Sequence, residues 1–211
     1  MKAKFQGNTR YFQNINSQLK AYFLGYIAAD GCISQITKSS KGLTITLHSI
    51  DKHVLDLLRE CIGCEHPIYI LKNNLVRFQL CNKDLVQDLI NLGITERKTF
   101  TLTNILNNIS KPLRKAFILG YFDGDGSIIL PLDCRKPNMN TKRICVSIRS
   151  TQELLDGIVE ELNLEQYAIK KYDSTYRLNF SKKSEILKFF DCYNNSPFFL
   201  KRKYEKFLKR L

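Results

Sequence analysis

No window of this chain approaches the ~18 uninterrupted apolar residues that a membrane-spanning helix needs, and no basic amphipathic helix stands apart from the rest. Membrane binding is therefore the weaker of the readings open to a basic protein. The opening residues, Met1-Lys2-Ala3-Lys4-Phe5-Gln6-Gly7, lack an apolar h-region, so a secretory signal is not expected, although an organellar address stays open. No glycine loop of the phosphate-cradling kind is present, which argues against ATP or any other nucleotide cofactor. Histidine is scarce: His48, His53 and His66 lack partners for nucleophilic chemistry. The seven cysteines are an odd, scattered set, read as reduced and mostly buried residues of an intracellular protein. Cys61 and Cys64 have zinc-ligand spacing with His66 close by, but no second pair completes a tetrahedral site, and packing at a helix end explains them as well. Acidic residues are also in deficit, with 20 Asp plus Glu against 33 Lys plus Arg, a formal charge of +13. That imbalance calls for a polyanionic partner, with nucleic acid preferred.

What is present is a repeat. With 211 residues and 44% apolar content, the chain can build one large core or two small units sharing one. Phe23-Leu24-Gly25-Tyr26-Ile27-Ala28-Ala29-Asp30-Gly31 and Ile118-Leu119-Gly120-Tyr121-Phe122-Asp123-Gly124-Asp125-Gly126 are two versions of one apolar helical run, each ending in Asp-Gly. Alternating strands follow each run, Leu43 to Ser49 and Arg143 to Ser150, and then helices at Lys52 to Ile62 and Gln152 to Leu162. Val76 to Leu80 aligns with Tyr176 to Phe180, and short helices follow at Lys83 to Leu92 and Lys182 to Tyr193. Both halves close on an Arg-Lys pair, Arg97-Lys98 and Arg202-Lys203.

The expected class is α+β, because the strands come in hairpin pairs rather than singly between helices. Each half reads helix–strand–strand–helix–strand–strand–helix, an αββαββα unit. The expected boundaries are 1–100, a linker at 101–110 and 111–211. Ile45, Leu47, Val76, Phe78 and Leu80 supply the apolar sheet face of the first half, and Ile144, Val146, Ile148, Leu178 and Phe180 that of the second. The opposite faces carry Thr44, Thr46, His48, Arg77 and Gln79, and Arg143, Ser147, Arg149, Arg177 and Asn179. An ordinary solvated face is one reading. The other is a base-reading surface, because Arg, Asn, Gln, Ser and Thr are the types that recognise base edges in a major groove.

Gly25, Ala29, Gly120 and Gly124 lack bulk where two motif helices would touch, and a mid-helix glycine costs ~1 kcal/mol relative to Ala. The competing explanation, helix-end punctuation, suits Gly31 and Gly126. Close packing of the two runs would bring Asp30 and Asp125 together. Adjacent carboxylates repel, and a divalent cation relieves the repulsion; Mg2+ is commonly held by one or two carboxylates plus substrate phosphates.

On these residues the chain resembles the LAGLIDADG homing endonucleases, in the single-chain form with two motifs, over nearly its whole length. The resemblance implies two pseudo-symmetric repeats with saddle-shaped antiparallel sheets, packed through the motif helices. It implies a monomeric, site-specific endonuclease that binds a long asymmetric DNA duplex and cuts one phosphodiester per strand with Mg2+ or a similar cation such as Mn2+. By the same resemblance Asp30 and Asp125 hold metal and act catalytically, and Lys98 and Lys203 stabilise developing charge or order water, with ordinary surface lysines as the alternative. Ser49 and Ser150 match a water-positioning group more loosely. Asp123 has Ala28 as its counterpart, so it is left out of the catalytic set. An intron-encoded RNA maturase of the same fold is the alternative function, with intron RNA as partner, and a catalytically silent DNA-binding regulator is a third; neither needs paired carboxylates. An intein-embedded nuclease is not expected, for want of a splicing-type cysteine start or a His-Asn end.

Overall fold

The computed structural model describes residues 7–37, 40–129 and 144–208. The first half runs α1 (Gln18–Asp30), β1 (Gly31–Thr37), β2 (Ser40–His48), α2 (Lys52–Ile62), β3 (Ile68–Ile70), β4 (Leu75–Leu80) and α3 (Lys83–Asn91). A short α4 (Lys98–Thr101) and two 3-10 turns lead into the second half. This repeats the order as α5 (Arg114–Asp125), β5 (Gly126–Ile129), β6 (Cys145–Ser150), α6 (Gln152–Glu161), β7 (Ala168–Tyr172), β8 (Thr175–Phe180) and α7 (Lys183–Asn194), and closes with α8 (Lys201–Leu208). Each half forms a four-stranded antiparallel sheet, ordered β1-β2-β4-β3 and β5-β6-β8-β7.

Strand alternation fixes which face is covered. All ten residues assigned to the apolar faces are buried, among them Ile45, Phe78, Val146 and Leu178. They pack beneath the apolar stripes of α2 (Val54, Leu55, Leu58, Ile62) and α3 (Leu85, Val86, Leu89), or of α6 (Leu154, Leu155, Ile158) and α7 (Ile186, Phe189, Cys192). The motif helices differ from these. Residues 21–29 of α1 and 116–123 of α5 are buried without a break, so each helix is covered on all sides. A helix buried on every face belongs in the centre of a fold.

At that centre α1 and α5 meet backbone to backbone. A methyl group placed at Gly120 would run into the carbonyl of Tyr22, and one at Gly25 into the carbonyl of Phe117 and to 2.8 Å from the Tyr121 nitrogen. Gly31 and Gly126 do follow the last helical residues, but in extended conformations (φ −72° and −87°) rather than a left-handed cap. A Cβ at Gly31 would lie 2.6 Å from the Ile27 carbonyl, and one at Gly126 2.5 Å from that of Phe122. Close approach, not turn geometry, thus selects glycine there, and each helix runs directly into a strand.

The segments outside the repeats cross over. Phe198 packs edge-on against Tyr22 of α1, and Arg202 pairs with Asp51 just ahead of α2. In the other direction Thr151 donates to the Leu102 carbonyl, and the Asn104 nitrogen donates to Glu153. The expectation of mostly buried cysteines needs correcting. Among the described ones Cys64 and Cys192 are buried, whereas Cys32 and Cys81 are exposed. Cys32 follows Gly31 on an edge strand and Cys81 follows the last residue of β4, places the core does not reach.

Candidate active site

Both motif helices end in an aspartate, and the seam sets these two ends side by side. The carboxylate of Asp30 lies 3.4 Å from where a Cβ on Gly124, the residue before Asp125, would sit. Asp30 is half-buried and Asp125 opens onto the surface. Loss of water around Asp30, reinforced by the charge of Asp125, pushes its carboxyl up to about 6. Burial likewise raises Asp125, against the opposing charges of Lys98, Lys203 and Arg149. The helices contribute too, since the negative ends of two macrodipoles converge on the same spot. Two carboxylates and two helix C-termini make a place that suits only cations.

The chain supplies some of those cations. Lys98, at the start of α4, donates to the Ala29 carbonyl at the end of α1. Lys203, on α8, is 5% exposed and donates to the carbonyls of Phe122, Asp123 and Gly126, each at 2.7 Å. Burial lowers both lysines, Lys203 to about 8, so it stays protonated at neutral pH. Neither lysine pairs directly with Asp30 or Asp125 among the described residues. No lysine therefore occupies the carboxylate oxygens. Their number and hardness fit a divalent cation of the Mg2+ type, which prefers oxygen donors and keeps water or phosphate in its remaining positions. They do not fit zinc: among the described residues no three His, Cys, Asp or Glu side chains converge, and Cys61 and Cys64 are free thiols.

Raised carboxyls carry a stability cost. The ionised form of Asp30 is worse placed in the folded chain than in the unfolded one, so the penalty is present above about pH 6 and fades toward pH 4. Asp30→Asn is therefore expected to stabilise the metal-free protein at pH 7.5 by about 1–2 kcal/mol after allowance for solvent screening. The gain should shrink as pH falls through 6. Thermal melts in EDTA from pH 5 to 8 check this, and a lower Tm for the variant at pH 7.5 refutes it.

Several neighbours of the aspartate pair escaped the sequence reading. Tyr26 and Tyr121 stand one turn before the aspartates, and Tyr26 lies close enough to Asp30 to favour its ionised form. Tyr121 donates to Ser150 Oγ at 2.8 Å and to the Arg149 carbonyl. Their signal was the Gly-Tyr pair shared by both motifs, four residues ahead of each Asp on the same helix face. Arg149, expected among base-reading residues, stands close enough to Asp125 to help hold its charge. Ser150 is buried on Tyr121, while Ser49 is exposed at the start of a 3-10 turn. Asp123 is 1% exposed and accepts from Tyr22 of α1 and from the Leu200 nitrogen, both at 2.8 Å, so it ties the seam to the C-terminal segment.

The outer sheet faces are polar and largely positive. Arg77 donates to Thr46 and Gln79 to Thr44, their directly opposite partners on β2. On the second sheet Arg149, Arg177 and Lys170 lie in one cross-strand row. Like charges directly opposite are destabilising. Here Thr175 holds Arg149 at 2.7 Å, and the Arg177 guanidinium stacks 4.3 Å from the Tyr172 ring centre. His48 is exposed and Asn179 half-buried. Ser147 departs from expectation: it is 5% exposed, a short side chain on central strand β6 between Ser127 and Asn179. Arg143 lies outside the described residues.

No family model matches this chain, and no curated protein matches it. Solved structures do. The LAGLIDADG homing endonuclease I-GzeII in complex with its DNA target superposes with a TM-score of 0.64, at 12% identity, over 89% of this chain and 87% of that one. The I-LtrWI LAGLIDADG homing endonuclease bound to target DNA gives 0.61 at 14% identity over 94% and 88%. The LAGLIDADG meganuclease I-AabMI bound to uncleaved DNA gives 0.62 at 15% identity over 88% and 86%. At these identities the likeness is one of fold: two antiparallel αββαββα units in one chain, as in the LAGLIDADG homing endonucleases.

Proposed function

We propose that this chain is a DNA endonuclease of the LAGLIDADG homing type. It would act as a monomer, grip a long asymmetric duplex with its two sheets, and hydrolyse one phosphodiester in each strand. The observation that carries this reading is the pairing of Asp30 with Asp125 at the converging ends of α1 and α5, in a chain of net charge +13. A maturase or a silent DNA-binding regulator needs the basic sheets but has no use for two raised, solvent-reaching carboxylates.

Asp30 and Asp125 are the residues that would hold a divalent cation such as Mg2+ or Mn2+. Once bound, such an ion supplies Lewis-acid stabilisation of the attacking and leaving oxygens in an in-line displacement. The chain's own groups do the rest. Arg77, Arg149, Arg177 and Lys170 neutralise phosphates along the duplex, while Thr44, Thr46, Gln79 and Asn179 contact base edges. Tyr26 and Tyr121 orient the carboxylates and the strand end that carries Arg149 and Ser150. An ammonium at the mouth of the site favours the charge that builds on the phosphoryl oxygens.

The test is to incubate the protein with Mg2+ and a randomised duplex library and to sequence the cut ends. A single recurrent site, cut on both strands, is expected. No cut in any duplex, with tight binding to structured RNA instead, would transfer the assignment to the maturase. Binding to the recovered duplex should also fall steeply with salt, by about 1,000-fold or more between 50 and 200 mM, as for a protein with six or more phosphate contacts. A flat response in an electrophoretic titration would contradict a long footprint.

A further inference from the structure

The two halves repeat each other in fold but not in the chemistry they bring to the seam. An ammonium has three protons. Those of Lys203 are all committed, at 2.7 Å each, to the carbonyls of Phe122, Asp123 and Gly126, with the Phe122 ring centre 4.9 Å from the nitrogen. To reach a phosphate it would have to leave a buried carbonyl without a donor. Lys98 makes one hydrogen bond among the described residues, to Ala29, and keeps two protons. It faces a cavity of about 410 Å3 that it shares with Asp125, Arg149, Ser150 and the exposed Phe100.

The neighbours of the two aspartates differ in the same sense. On the Asp125 side Arg149 presents a guanidinium. Its counterpart by sheet register in the first half, Thr46, is uncharged and accepts from Arg77. The arginine before each lysine is also unequal, because Arg202 is locked onto Asp51 while Arg97 forms no ion pair among the described residues. Free cationic hydrogen-bond donors therefore cluster on one side of the carboxylate pair.

We propose that the two lysines have different jobs: Lys98 is the ammonium that meets a DNA phosphate in the cavity beside Asp125, whereas Lys203 is a fastener at the end of α5, so that one strand, the same in every complex, is cut first. This rests on the nuclease reading for its strand order but not for the division between the lysines. Phe100, at the rim, would pack against the sugar of the same strand.

Two measurements decide it. The first needs neither DNA nor metal: brief acetylation of the free protein with acetic anhydride, followed by peptide mass spectrometry. Lys98 should be modified at least roughly tenfold faster than Lys203, whose amine is reached only through opening of the fold. Equal rates would overturn the proposal. The second follows each labelled strand of the recovered duplex. Wild type should nick one strand at least roughly tenfold faster than the other, and Lys98→Met should slow that strand by on the order of 100-fold while leaving the other within a few-fold. Equal strand rates in wild type, or equal slowing of both strands in the variant, would also overturn it. Should no duplex be cut at all, the nuclease reading falls, and the acetylation ratio still decides between a free and a fastened lysine.

Discussion

Asp30→Asn and Asp125→Asn should each reduce cleavage of the recovered duplex by on the order of a thousandfold or more, a barrier increase of about 4 kcal/mol. The reason is positional. Each aspartate sits where a helix C-terminus, its twin carboxylate and a packed backbone all oppose negative charge, and the raised Asp30 carboxyl records that opposition. Such a group is worth keeping ionised only if a cation is drawn to it. Asparagine occupies the same volume but brings neither the charge nor the second anionic oxygen. The duplex, by contrast, is held along two sheets far larger than the pair, and removing a negative charge near phosphates should leave Kd unchanged or slightly tightened. The double variant should be about as inactive as either single one, because the pair acts as a unit. Strand-resolved cleavage in Mg2+ beside a binding titration separates these effects. Undiminished cleavage in either variant would end the paired-carboxylate model. The expected rise in Tm of metal-free Asp30→Asn supplies the control, because a more stable protein that no longer cuts has not lost activity by unfolding.

The parts of this molecule that were legible in its sequence are those set by local rules. Period-two alternation at 43–49 and 76–80 and the amphipathic stripe of 52–62 depend on near neighbours, and the structure places β2, β4 and α2 there. The recurrence of Gly-Tyr and Asp-Gly in both motifs pointed to a seam. What was not legible depends on groups far apart in the chain. Nothing in the tail says that Lys203 would be consumed by three carbonyls, one of them at the start of β5, while Lys98 spends one proton. The Arg-Lys pairs look alike on paper. They differ because α8 reaches across to Asp51, whereas α4 opens on the cavity beside Asp125. Repetition in sequence thus reports the fold of the halves faithfully and their chemistry poorly. The crossing segments, which are not part of the repeat, make the two sides unequal.

Gly120→Ala is the substitution expected to cost the fold most. Judged by helix propensity alone it should help, since alanine in a helix interior is better than glycine by ~1 kcal/mol. The seam reverses the sign. The new methyl would run into the carbonyl of Tyr22, and its next neighbours are the carbon of that carbonyl at 2.8 Å and the Tyr22 Cα at 3.1 Å. All of these are backbone atoms of α1, so no rotamer change relieves the clash and the helices must separate or slide. Separation loosens the bond from Tyr22 to Asp123 and the contact of Phe198 on Tyr22, which together tie α1, α5 and the C-terminal segment. A net loss of about 3 kcal/mol or more follows, at the upper end of what overpacking does in a core that cannot yield. For a chain of this size that is roughly 10 °C in Tm. Differential scanning calorimetry of the purified variant measures it, and a Tm at or above wild type would show that the motif helices do not meet at Gly120. Whatever fraction stays folded should cut slowly even when cold, because the contact that the methyl group forces apart also holds Asp30 beside Gly124 and Asp125. Heat stability and cleavage should therefore fall together in this variant, whereas in Asp30→Asn they move in opposite directions, and the contrast separates the seam from the chemistry it supports.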